Sequence, residues 1–159
     1  MASTALKNPR LYQGKQLEKK RVLAADSQTW KAGQPGVYSS GLATPAATNA
    51  VSVQFLFSSD QDSSTSSTEV WIEEIPSAST KFVGYVSNDS TDTRATQALI
   101  GAQYAIDVIS NVATVNTGEA SKVAVQIDDL LWKREGAMNA SSDNPGQVIF
   151  HYLQSVLDA

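Results

Sequence analysis

The chain has 159 residues, of which 42% are hydrophobic and 18% charged, with no cysteine and a formal net charge of −4. That length suits one domain plus an appendage, and the composition is that of a folded globule rather than of a disordered chain. The missing cysteines exclude a disulfide framework, a thiolate zinc site and a cysteine nucleophile, and no apolar run reaches the roughly 20 residues that span a bilayer.

The first residues also lack the apolar centre of a secretory leader, so synthesis in the cytoplasm without membrane contact is expected. Charge is unevenly placed. Residues 1–21 carry Lys7, Arg10, Lys15, Lys19, Lys20 and Arg21 against Glu18 alone, a net +5, whereas the rest of the chain, with six basic and fifteen acidic residues, carries −9. A basic N-terminal arm over 1–21 on an acidic body over 22–159 is the resulting organisation. Within the arm, Leu6, Leu11, Tyr12 and Leu17 follow no sustained period, and Pro9 and Gly14 would interrupt a helix. Two readings remain open: a free tail, or an arm that orders on an acidic or grooved partner with Leu11 and Tyr12 as apolar anchors and the lysines as steering charge. The −9 of the body would repel a nucleic-acid duplex.

Val22–Ala25 reads as a short first strand. Trp30 then precedes a turn in which Gly33 and Gly36 can take positive φ around Pro35, and its bulk suits the core. Val51, Val53, Phe55 and Phe57 alternate as one face of a strand, and the following 58–68 stretch, SSDQDSSTSST, reads as an exposed, mobile connection. Asp60 and Asp62 lack the glycine and closing glutamate of a calcium loop. Two further strands follow, over 69–75 up to Pro76 and over 81–86, then a polar loop over 88–96. Residues 99–115 read as a hairpin, with Ser110-Asn111 as the turn and Gly101 as a bulge or close backbone approach. Val123, Val125 and Ile127 share a strand face, and 139–146 is a turn. The last strand, over 147–157, is apolar on both parities, so it is buried on both sides or lies at a subunit contact. About eight short strands in a β-barrel or β-sandwich is the expected fold.

Catalytic patterns are sparse. His151 is the only histidine and has apolar sequence neighbours, and no nucleophile elbow, phosphate loop or dinucleotide fingerprint is present. Glu73-Glu74 and Asp128-Asp129 are adjacent on strands and point to opposite faces, so neither pair converges on one bond. A non-enzyme without cofactor or metal is expected.

Four segments carry a resemblance: Lys31-Ala32-Gly33-Gln34-Pro35-Gly36-Val37, Gly41-Leu42-Ala43-Thr44-Pro45, Ile100-Gly101-Ala102-Gln103-Tyr104-Ala105-Ile106-Asp107-Val108 and Pro145-Gly146-Gln147-Val148-Ile149-Phe150. Their order resembles that of the small decoration, or cement, proteins on the heads of tailed bacteriophages. The resemblance implies a β-barrel or β-sandwich body, commonly trimeric, on the outer capsid surface, where it clamps neighbouring major capsid protein subunits. It also implies that the arm, through Lys7, Arg10, Leu11, Tyr12, Lys15, Lys19, Lys20 and Arg21, is a capsid tether, with Trp132, Phe150 and Tyr152 as candidate subunit-interface residues. The rival readings are a phage tail or baseplate subunit and a secreted carbohydrate-binding β-sandwich that uses an exposed tryptophan.

Overall fold

A computed structural model describes residues 7–14, 16–88, 91–92, 94–131 and 146–159. Among them the chain forms twelve strands: β1 (Arg10–Gln13), β2 (Lys19–Leu23), β3 (Pro35–Ser39), β4 (Leu42–Pro45), β5 (Phe55–Phe57), β6 (Glu69–Glu74), β7 (Lys81–Asn88), β8 (Thr91–Asp92), β9 (Gln103–Ile109), β10 (Val112–Asn116), β11 (Val125–Leu130) and β12 (Gln147–Tyr152). The described residues also include a 3-10 turn at Gln97–Leu99 and a single helical turn at Gln154–Leu157, so the last strand ends at Tyr152 and does not run to residue 157. The protein is therefore all-β. No helix among the described residues is long and apolar enough to cross a membrane.

The hairpin β9–β10 forms where alternation placed it. Ser110 and Asn111 both take positive φ, 49° and 64°, which is the backbone twist a two-residue hairpin loop needs. The same device joins β3 to β4, through Ser40 at 51° and Gly41 at 79°. Gly101 also takes positive φ, 85°, but the space around it is open, so it serves a turn and not a close approach.

The strands build two sheets. In the first, β7, β10, β9, β11 and β12 follow one another, and β12 pairs back onto β7, so five strands close into a barrel. Among the described strand pairs of this sheet, only β7–β10 is parallel. β1 adds to β7 opposite Lys81–Val83, and β8 pairs with its far end. The second sheet runs β2-β6-β5-β3-β4, and a parallel bridge between Ala24 and Ala43 draws its two edges together.

Two cores follow from this arrangement. Phe82, Ile106, Val125, Ile127, Leu130, Val148, Phe150 and Tyr152 fill the barrel, joined by Leu56 from the second sheet and by Leu17, Val53 and Ile75 from the segments flanking its strands. Trp30, Phe55, Phe57, Val70 and Ile72 form the other core, where Trp30 stacks on Phe57 at 4.1 Å between ring centroids. Trp30 is thus the core aromatic its sequence context suggested, with its indole N–H donating to the Ser59 carbonyl at 2.9 Å.

Four expectations need correction. First, the described part of the N-terminal segment is not an arm standing off a body: β1 is a strand on the barrel and β2 pairs along β6. Asn8 fixes the start, its Oδ1 accepting from the Ala113 N–H at 2.8 Å and its Nδ2 donating to the Ala32 and Asn111 carbonyls at 3.1 Å each. Second, 58–68 is not loose: Gln61 pairs with Trp30, Ser64 is buried, and the Asp60 and Asp62 carboxylates accept from the Ala32 N–H and the Thr29 hydroxyl. Third, Val51–Phe57 is not one strand face. Val51 is exposed, Val53 packs with the barrel core, and only Phe55–Phe57 is a strand, because Gln54 turns its side chain back to accept from the Tyr38 N–H. Fourth, Gly36 is required for space and not for positive φ: a Cβ there would stand 2.3 Å from Phe55 Cε2 and 2.8 Å from Phe57 Cε2.

Gly36→Ala is therefore expected to destabilise the fold by about 1–3 kcal/mol, the usual cost of overpacking, measured as a lowered urea midpoint. Tyr152 gives a second expectation. Its ring is buried, its hydroxyl has no hydrogen-bond partner among the described residues, and burial pushes its ionisation well above the ordinary value of 10.0. The fold favours the neutral phenol, so this contribution is intact below pH 10 and declines as pH rises further. Tyr152→Phe should match or exceed the parent stability at neutral pH, by up to about 1 kcal/mol, and lose less of it under alkaline denaturation.

Candidate interaction surface

The residues expected to grip a partner divide into three groups once folded. Leu11 and Tyr12, on β1, are exposed at 38% and 44%, although they are large and apolar. β1 has β7 as its only neighbouring strand among the described residues, so its other edge is unpaired. Arg10 and Leu11 of this strand border an open cleft of 340 Å³ whose lining also includes Pro9, Leu17, Leu56, Ser58 and Glu73. Arg10 donates from Nη1 to Gln147 Oε1 at 3.3 Å across the sheet.

The second group is already engaged. Lys20 Nζ lies 3.4 Å from Glu74 Oε1, and Arg21 Nη2 lies 2.6 Å from Glu69 Oε2, both across the β2–β6 pairing. These exposed pairs contribute little to stability, but they neutralise charge assigned to the arm. Lys7 and Lys19 make no ion pair among the described residues, and Lys15 lies outside them. The strength of a purely cationic grip is correspondingly reduced.

The third group was expected at a subunit contact. Phe150 and Tyr152 are each 1% exposed and pack edge-on at 5.5 Å, with Phe82 against both. They are barrel core, so they cannot be interface residues in a folded chain. The apolar run that suggested an interface has the other cause allowed to it: Val148, Phe150 and Tyr152 face the barrel interior while Ile149 packs with Val83 and Leu131 on the other side. Trp132 lies outside the described residues.

His151 meets a carboxylate, which sequence spacing could not show. Asp128 Oδ2 lies 2.8 Å from His151 Nδ1 and 2.8 Å from Lys81 Nζ. The three come from adjacent strands β11, β12 and β7. Asp128 is the extra residue of a β-bulge, since Ile127 pairs with Phe150 and Asp129 with Ile149, and bulges re-aim a side chain in this way. The cluster is partly buried, with side-chain exposures of 30%, 21% and 16% for Lys81, Asp128 and His151. Asp128 is the only side chain bonded to His151 among the described residues, and through it the arrangement ties three strands together. No group of three or more histidine and carboxylate side chains able to hold a metal occurs among the described residues.

Comparison with protein-family models, with curated proteins and with solved structures returned no match.

Asp128→Ala leaves Lys81 and His151 without their shared acceptor and should cost about 1–2 kcal/mol in chemical denaturation. A double-mutant cycle of Lys81→Met with Asp128→Asn should return a coupling of about 0.5 kcal/mol or more, because the pair is partly shielded from water.

Proposed function

We propose that this protein is a structural, non-catalytic part of a tailed-phage virion, which decorates the outer capsid surface and clamps neighbouring major capsid protein subunits. The observation that carries the reading is the exposed Leu11-Tyr12 pair on a strand edge fastened to a closed barrel, beside an open cleft. An extended segment of a capsid subunit would add to that edge by main-chain hydrogen bonds, with the two apolar side chains and the cleft supplying register. Because β1 is held on β7 and anchored by Asn8, little ordering entropy is lost on attachment. A protein that binds only the mature shell stabilises it by mass action, and repetition over the shell, with three copies per trimer, converts weak contacts into avid ones. The trimer contact would use surfaces other than Phe150 and Tyr152.

The test is co-sedimentation with expanded shells that lack the protein. Leu11→Ala/Tyr12→Ala should bind at least about tenfold more weakly while melting like the parent. Raising salt should weaken the parent only modestly, since Lys20 and Arg21 are already paired. Binding of the double variant equal to the parent would overturn this grip, and attachment to purified tails in place of shells would transfer the reading to a tail or baseplate subunit.

A further inference from the structure

Val70 and Ile72 point into the second core, so alternation along β6 turns Trp71 outward, where it stands 48% exposed. An outward position on a sheet face ordinarily carries a polar or β-branched side chain, and a tryptophan there leaves a large apolar plane in water. The ring is also braced. Arg21, its register partner on β2, places its guanidinium carbon 5.7 Å from the ring centroid and is itself held by Glu69.

Beside the ring lies an open depression of 280 Å³, lined by Trp71, Lys19, Ser58 and Ser59. Its floor is fixed from beneath. The Ser58 N–H donates to the Trp71 carbonyl at 3.1 Å, Ser58 Oγ bonds Glu73, and the Ser59 carbonyl accepts from the buried Trp30 indole. The site thus offers one aromatic wall, two hydroxyl-bearing residues and one ammonium group. Lys19 is its charged lining residue and has no ion pair among the described residues; Glu73, its register partner on β6, holds its carboxylate against the Ser58 hydroxyl at 3.3 Å.

We propose that this depression binds a pyranose ring bearing a carboxylate, an acidic sugar of a glycan. The C–H face of the ring would lie on Trp71, its hydroxyls would exchange hydrogen bonds with Ser58 and Ser59, and its carboxylate would meet Lys19. The unpaired Lys19 ammonium favours the acidic sugar over a neutral one, the neighbouring Glu73 carboxylate being engaged by the Ser58 hydroxyl, and the small volume suits one ring rather than an extended peptide. The depression adjoins the cleft beside β1, with which it shares Ser58, but Trp71 and Lys19 do not line that cleft, so variants at these two positions test the sugar site without altering the capsid grip.

The experiment is titration of the full-length, isotope-labelled protein with D-glucuronate, D-glucose and acetate, followed by nuclear magnetic resonance at the Trp71 indole and the Ser58 and Ser59 amides. Glucuronate should give saturable shifts at these three positions with the Trp30 indole unmoved. Trp71→Ala should weaken binding about tenfold, and Lys19→Gln should abolish the preference for glucuronate over glucose. Both positions are on the surface, so unchanged resonances elsewhere will report an intact fold. Equal shifts with acetate, no shift with glucuronate, or shifts that grow with protein concentration alone, which would mean a second copy occupies the platform, would each overturn the proposal.

Discussion

The strand Phe55–Phe57 is three residues long and buried on both faces, and the packing of the rest depends on it. Phe55 and Phe57 enter the core of the second sheet while Leu56 enters the barrel core, so one short strand belongs to two hydrophobic clusters at once. That double burial requires backbone to approach both aromatic rings closely, which Gly36 permits. Burying three large side chains is worth several kcal/mol in transfer free energy, and it holds the sheets in a fixed relation.

The N-terminal segment works within that frame. Its charge and sparse apolar content resemble those of a tail, yet its backbone completes two sheets. β1 covers part of one edge of β7 that β10 leaves open, and β2 covers the edge of β6. Asn8 reaches both the β9–β10 turn and the Trp30 loop, which ties the segment to each half of the molecule. Strand pairing absorbs the backbone, so Leu11 and Tyr12 stand exposed on a strand held by β7.

Polar groups outside the cores are used chiefly as fasteners. Asp128 bridges Lys81 and His151 across three strands, and Asp60, Asp62 and Ser64 lock the serine-rich loop to the segment before β3. Trp71 departs from this pattern, since its apolar ring, with Arg21 over it, faces solvent.

What the sequence by itself determined was local. Alternation identified β6, β7, β9, β10 and β12, Ser110-Asn111 identified a turn that needs positive φ, and the size and setting of Trp30 marked it for the core, because each depends on residues close along the chain. Other features rest on partners far away in sequence. The pairing of β1 with β7, the closure of β12 onto β7, the bulge that turns Asp128 toward His151, and the burial of Phe150 and Tyr152 in the molecule's own barrel join residues tens of positions apart along the chain. An apolar strand has the same pattern at a subunit contact as in a barrel wall, and an exposed basic strand the same composition as a tail. Only the tertiary structure, by supplying the neighbouring strand, decided between them.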